Sequence, residues 1–251
     1  MIISSRDNET VKEIIKLKDK KYRKEKFIIE GIKMLKEAIQ EKASIELIAI
    51  RENTILDFDV SNYKTIEVSE KIFAELTDVE TPQGVLAVVN KNSIKAIDFS
   101  TNYVIALDGL QDPGNMGTII RTADSANIKQ IIVSKNTVDA YSPKVVRATM
   151  GAIYRVNIIE VNDLVETLKE FNENGFETVS TSLDTDKSIY DLNYNKKVVV
   201  IGNEANGVTK PVQEVTNYKV KIPMLGKTES LNASVAASIM IYEYVRQSLE
   251  K

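Results

Sequence analysis

Hydrophobic positions along the chain follow two alternating periods. Between residues 8 and 19 apolar side chains fall at Val11, Ile14, Ile15 and Leu17, a spacing that gathers them on one face of a helix. "KFIIEG" at 26–31 is instead a short apolar run closed by glycine and predicts a strand. "IKMLKEAIQEK" returns to the helical period, "SIELIAIRE" and "KTIEVS" read as strands and "EKIFAELTD" as a helix, and the turn "TPQG" leads into the apolar "VLAVVN". Together these predict a small α/β domain over residues 1–90. Residues 91–102, "KNSIKAIDFSTN", have mixed polarity and weak periodicity and read as a linker. Over 103–251 the runs "YVIALDG", "QIIVS", "ETVSTSL", "KKVVVIGNE" and "YKVKIPM" alternate with helical stretches, and a last helix is expected from about Ser230. That alternation predicts a mostly parallel sheet covered on both faces, a fold that binds ligands beyond the carboxyl ends of its strands. Three of those ends, "DGLQDPGN", "GNEANG" and "PMLGKTESLN", are rich in turn and polar residues.

Composition narrows the chemistry. The 251 residues are 43% hydrophobic and 27% charged, with no apolar stretch long enough to span a bilayer and an N-terminus, "MIISSRDNETVKEI", that turns charged at once. A cytoplasmic protein with no membrane partner is expected. There is no cysteine and no histidine, so disulfides, thiolate or imidazole metal sites and a serine triad are all excluded. The net charge of -3 argues against a generic polyanion binder, and no DNA partner is expected. Between Lys12 and Lys26, however, eight basic residues face three acidic ones, a local charge of +5 that fits either a solvated helix face or phosphate contacts. Nucleotide signatures fail on spacing. "GKT" at 226–228 lacks the P-loop glycine five residues earlier, where the chain has Lys221, and Gly114 with Gly117 is only a fragment of a dinucleotide turn.

What remains is a constellation of three stretches in fixed order: "DPGNMGTIIRTA" (112–123), "VVVIGNEANGV" (198–208) and "IPMLGKTESLNASVAASIMIYE" (222–243). They closely resemble the three motifs of the SpoU/TrmH family of RNA 2'-O-ribose methyltransferases, and the likeness extends from about 103 to 249. "FIIEGIKMLKEAI" in the N-terminal part resembles the ribosomal-protein-like substrate-binding domain of that family's ribosomal RNA branch. The resemblance implies a deep trefoil knot in the catalytic domain, S-adenosylmethionine as cofactor, RNA (most of all ribosomal RNA) as substrate, and a homodimer. The small residues Ala233, Ser234, Ala236, Ala237 and Ser238 are compatible with the close backbone approach a knot demands, and equally with an ordinary helix contact.

Carried over position by position, the resemblance implies catalytic roles for Asn115, Arg121, Glu204, Ser230 and Asn232, and cofactor contacts for Thr181, Gly202, Ile222 and Leu231. Methyl transfer from a sulfonium releases a neutral thioether, so it requires neither a metal nor a general acid; the demand falls on holding and deprotonating the 2'-hydroxyl. Arg121 is the family's activating residue, yet a guanidinium offers only donors and holds its protons too firmly to act as a simple base. It is expected to clamp a phosphate or to polarise the 2'-oxygen, against the plain alternative of a surface pair with Asp124 or Glu204. Locally, Asn115 also reads as a turn residue, and Ser230 as the cap of the last helix with Asn232 in its first turn. Lys18, Lys20, Lys21 and Arg23, with Lys144 and Arg147 of the family-like "YSPKVVRATMGAIYRV", are candidate RNA contacts, the last two equally candidates for structural ion pairs. Two rival functions remain: a transfer RNA methyltransferase, and a knotted RNA-binding or assembly factor without catalysis.

Overall fold

Residues 2–91 and 96–250 are described by the structure, a computed structural model; residues 92–95 of the expected linker lie outside the described residues. Two units are distinguished, Met1–Ser93 with Asp139–Tyr154, and Ile94–Val138 with Arg155–Lys251. In the first, β1 (Ile2–Ile3), α1 (Glu9–Lys16), β2 (Lys26–Glu30), α2 (Ile32–Gln40), β3 (Ile45–Arg51), β4 (Thr65–Val68), α3 (Glu70–Leu76) and β5 (Val85–Asn90) follow one another. The sheet runs β1-β4-β3-β5-β2, with β5 antiparallel to both neighbours. Asn8 caps α1 by accepting the N–H groups of Thr10 and Val11. The capped helix lays Val11, Ile14 and Leu17 against Phe73 and Leu76 of α3 and against Leu47 and Val88 of the sheet, the core the periodicity predicts.

The second unit contains β6 (Tyr103–Asp108), α4 (Pro113–Ser125) and β7 (Gln130–Ser134). The chain then contributes α5 (Pro143–Thr149) to the first unit and returns as β8 (Asn157–Val161), α6 (Leu164–Glu173), β9 (Glu177–Thr181), β10 (Lys197–Gly202), α7 (Lys210–Val215), β11 (Tyr218–Val220) and α8 (Ala233–Leu249). Six strands in the order β11-β9-β10-β6-β7-β8 pair parallel throughout. β6 and β10 are buried along their whole length, which is why both are apolar nearly end to end. β8, which the sequence reading passed over, is an edge strand with a single buried residue, so its apolar signal is weak. The chain steps from β6 through β7 to β8 at one edge and then builds β9, β10 and β11 on the other side, so the strand order reverses between β6 and β10. Among the described residues no helix is long and apolar enough to cross a membrane.

Residues 139–154, expected within the C-terminal domain, belong to the first unit instead. The reason is a buried ion pair: Arg23 Nε donates to Asp139 Oδ2 at 2.8 Å with the side chains 5% and 13% exposed, while Nη1 donates to the carbonyls of Leu17 and Lys18 at 2.8 and 2.6 Å. Tyr141 stacks obliquely on Phe27, and α5 packs on β2. Arg147, on α5, lies 4.0 Å from the Glu30 carboxylate, the structural alternative to an RNA contact. Arg23 is therefore removed from the expected RNA-binding set, and so is Lys18. The Lys18 ammonium donates to the carbonyls of Glu75 and Thr77 at 2.8 and 3.0 Å and pairs with Asp78, closing the C-terminal end of α3. Removing one partner of a buried pair strands the other charge, so Arg23→Ala is expected to destabilise the first unit by about 3–5 kcal/mol, measured as a lowered urea midpoint in far-UV circular dichroism.

Candidate active site

Where the strand order reverses, Asp108 of β6 and Gly202 of β10 are register partners at the carboxyl ends of adjacent strands, the position at which open α/β sheets bind their ligands. The loop after β10 is folded tightly back: Asn203 and Gly207 exchange backbone hydrogen bonds at 3.0 and 2.9 Å. The Asn203 side chain accepts from the N–H groups of Ala205 and Asn206 and donates to the Gly109 carbonyl at 2.9 Å. Asp108 accepts the Thr209 N–H at 2.8 Å and fixes the loop's far end. A β-carbon on Gly202 would stand 2.0 Å from the Gly207 carbonyl carbon, so only glycine allows this closure.

Glu204, at the tip of that loop, joins it to the loop after β6. Its carboxylate accepts the N–H groups of Gln111 and Asp112 at 3.1 and 2.9 Å and the Asn115 side-chain amide at 3.0 Å. Asp112 in turn caps α4 by accepting the Asn115 N–H at 2.8 Å, with Pro113 next in the first turn. Partial burial acts to raise the Glu204 carboxyl, but the Asn115 amide and the backbone donors outweigh it and hold its pKa below the ordinary value. With the folded pKa below the unfolded one of about 4.3, this ordering is complete above the unfolded value and fades as pH falls through the folded one. Affinity for S-adenosylmethionine is accordingly expected to hold from neutrality to about pH 5 and to drop in more acid solution. Glu204→Gln should flatten that acid limb in calorimetric titrations.

A cavity of about 390 Å³ opens beside these loops, within the range of nucleotide-sized ligand sites. Thr181, Gly202, Ile222 and Leu231 line it, as do Glu204 and Ser230. The Thr181 hydroxyl donates to the Val200 carbonyl at 3.2 Å, and Ile201, Val220 and Met224 add apolar wall. Aliphatic walls and two lining carboxylates, Glu204 and Asp184, with the Lys221 ammonium drawn to Asp186 at 3.6 Å, fit a nucleoside carrying a positive charge. The structure places the remaining residues elsewhere. Arg121 is exposed on α4 with no hydrogen bond or ion pair among the described residues; Asp124 pairs with Arg155 instead, and Glu204 is engaged with the α4 N-terminus. Asn232, not Ser230, caps the last helix: its side chain accepts the N–H groups of Ser234 and Val235, so α8 begins at Ala233 and Ser230 stays on the exposed loop before it. Asp108, Asp112 and Asn203, which lock the loops, escaped the sequence reading although each is a polar residue at or just beyond a buried strand. Asp184 of the cavity wall gave no signal beyond its place after β9.

A parallel sheet with a nucleoside-sized cavity at its point of strand reversal, walled by glycine-containing loops, is the architecture of an enzyme using a nucleoside-type cofactor. The profile of the SpoU rRNA methylase family matches residues 102–242, and that of the MRM3-like substrate binding domain matches 8–87. The chain belongs to the SpoU rRNA methylase family. It is 31% identical over 244 residues to the 23S rRNA (guanosine(2553)-2'-O)-methyltransferase RlmP of Bacillus subtilis, covering 96% of this chain and 97% of that one. The AdoMet-bound rRNA methyltransferase from Sinorhizobium meliloti is 29% identical with a TM-score of 0.85, covering 98% and 97% of the two chains. The A. aeolicus TrmH/SpoU tRNA modifying enzyme is 30% identical with a TM-score of 0.54, covering 59% of this chain and 76% of that one.

Proposed function

We propose that this protein transfers a methyl group from S-adenosylmethionine to a ribose 2'-hydroxyl of ribosomal RNA. The observation that carries the reading is the cavity at the β6–β10 reversal, walled by Gly202, Ile222 and Leu231 and bounded by the Glu204 junction, in a chain of the SpoU family. When bound, S-adenosylmethionine supplies an electrophilic methyl on a sulfonium. Thr181, Gly202, Ile222 and Leu231 would hold it. Glu204 keeps the α4 N-terminus fixed against the cavity. Asn115 uses one amide hydrogen on Glu204 and keeps its carbonyl oxygen without a partner among the described residues, an acceptor suited to a ribose hydroxyl. Arg121, without a partner among the described residues, clamps the neighbouring phosphate or polarises the 2'-oxygen through its N–H donors, and the proton leaves to another group or to water. The cytoplasm, where ribosomal RNA is met, is the place of action.

Ribosomal rather than transfer RNA is favoured by extent: the likeness to the rRNA enzymes runs over nearly the whole chain, whereas the tRNA modifying enzyme covers 59% of it. The knot implied by the motifs belongs to the same reading, supported by the chain's path from the cavity wall at 222–231 back to α8, which packs on α4 and β10. So does a homodimer. Val235, Ile239 and Tyr242 form one stripe on α8 beside Thr118 of α4, with Val235 and Tyr242 46% and 51% exposed, and a second copy would cover it. Val235→Asp is expected to shift sedimentation velocity toward the monomer. For the activity, the protein is incubated with radiolabelled S-adenosylmethionine and total RNA, and alkali-resistant linkages are mapped. Label in ribosomal RNA is expected; label confined to transfer RNA overturns the substrate, and no label in any RNA overturns the function.

A further inference from the structure

The first unit holds a larger concavity than the cofactor cavity, about 570 Å³, between α1, the turn before β2 and the start of β3. Its floor is apolar, built by Ile14, Leu17, Leu47 and Val88. Tyr22 stands at its rim, 46% exposed, in a single 3-10 turn (Lys20–Tyr22) that Asp19 caps by accepting the Lys21 N–H. The next residue is Arg23, whose buried guanidinium ties the turn to the carbonyls of Leu17 and Lys18 and to Asp139. An exposed aromatic ring is thus presented on a rigidly anchored turn, and the Lys21 ammonium lies 4.8 Å from its centroid.

Charge around the groove is divided. Lys26 is neutralised by Glu46 at 2.6 Å, and Lys21 lies 3.3 Å from Asp19. Lys16 and Lys24 line the groove with no partner among the described residues, as does the Glu13 carboxylate. Two unpaired ammonium groups suit phosphates. A carboxylate repels phosphate and accepts N–H donors, which nucleobase edges offer. An apolar slot with an aromatic wall suits the face of a base, and the neighbouring cations suit the backbone that carries it, the combination by which unpaired RNA is held.

We propose that this groove takes an unstacked nucleobase of the RNA substrate, its ring on Tyr22 and its flanking phosphates on Lys16 and Lys24. The proposal rests on the RNA methyltransferase reading and adds that the substrate is gripped at an unpaired nucleotide away from the methylated ribose. Lys18 and Arg23 then act as the scaffold of the groove, and the contacts pass to Lys16, Tyr22 and Lys24.

Fluorescence anisotropy with the full-length protein tests it, using a fluorescein-labelled single-stranded RNA oligonucleotide and the duplex of the same sequence. Wild-type protein is expected to prefer the single strand. Tyr22→Ala should weaken single-strand binding about tenfold and leave duplex binding, melting temperature and S-adenosylmethionine affinity unchanged, whereas Tyr22→Phe should bind as wild type. Lys16→Ala with Lys24→Ala should weaken both RNAs and reduce the slope of log Kd on log salt by about 1.4 for the single strand. Unchanged single-strand binding by Tyr22→Ala, or equal losses on both RNAs, overturns the base site while leaving the methyltransferase reading intact. Polyglutamate that competes as well as the unlabelled oligonucleotide also overturns it, reducing the groove to a general polyanion surface. Wild-type protein that binds neither RNA overturns this proposal and the RNA substrate together.

Discussion

Gly202→Ala is expected to weaken binding of S-adenosylmethionine about a hundredfold. The added methyl would sit 2.0 Å from the Gly207 carbonyl carbon and 2.1 Å from the Val208 nitrogen, both backbone atoms that cannot rotate away. The 203–208 loop must move, taking with it the wall of the cavity and the Glu204 junction. Overpacking of this kind costs about 1–3 kcal/mol, and displacement of main chain belongs at the upper end, about a hundredfold in Kd. Isothermal titration calorimetry reads the affinity, and a circular dichroism melt shows whether the sheet, whose β10 ends at Gly202, is retained. Binding within threefold of wild type would show that the loop is not the cofactor wall.

Arg121→Ala separates chemistry from binding. Arg121 lies outside the cavity-lining set and is exposed on α4, so cofactor affinity should be unchanged. Methyl transfer in single-turnover assays should fall by about 10²–10³, the usual loss of one preorganised donor. Arg121→Lys is expected to recover little, because an ammonium cannot present the two parallel N–H groups of a guanidinium. Turnover like wild type in Arg121→Ala would remove the residue from the mechanism. A guanidinium offers donors and no acceptor, so Arg121 is not the base, and the pH–rate profile of Arg121→Lys should keep the wild-type shape at lower amplitude.

The elements were legible where one period dominates. α1 follows directly from apolar spacing because it buries one continuous face, and β2, β5, β6 and β10 from unbroken apolar runs because they are buried nearly end to end. The cavity at the strand reversal was reachable through Gly202, Ile222 and Leu231, which stand inside long motifs at strand ends and are among the residues that line it. Three things were not legible. β8 is an edge strand, and its weak burial leaves little pattern to find. The last helix starts two residues later than the turn chemistry of Ser230 allowed, because Asn232 makes the cap that a local reading gave to serine. Lys18 and Arg23 sit in a run of cations where sequence cannot tell a solvated ammonium from one enclosed by carbonyls. Their partners, Glu75, Thr77 and Asp139, lie 57, 59 and 116 positions away. A charge run reports how many cations are present and nothing of which are already engaged.

That distant partner has a consequence during synthesis. The N-terminal unit takes Asp139, Tyr141 and α5 as part of its own structure, so a nascent chain that has emerged only to Ser93 carries the Arg23 guanidinium and the face of Phe27 without their covers. The 61 residues from Ser93 to Tyr154 take roughly 3–12 s to add at about 5–20 residues per second. Over that interval β6, α4 and β7 have already been made. The customary order, one finished domain before the next begins, is closed to this chain: its first unit is completed only from within the second.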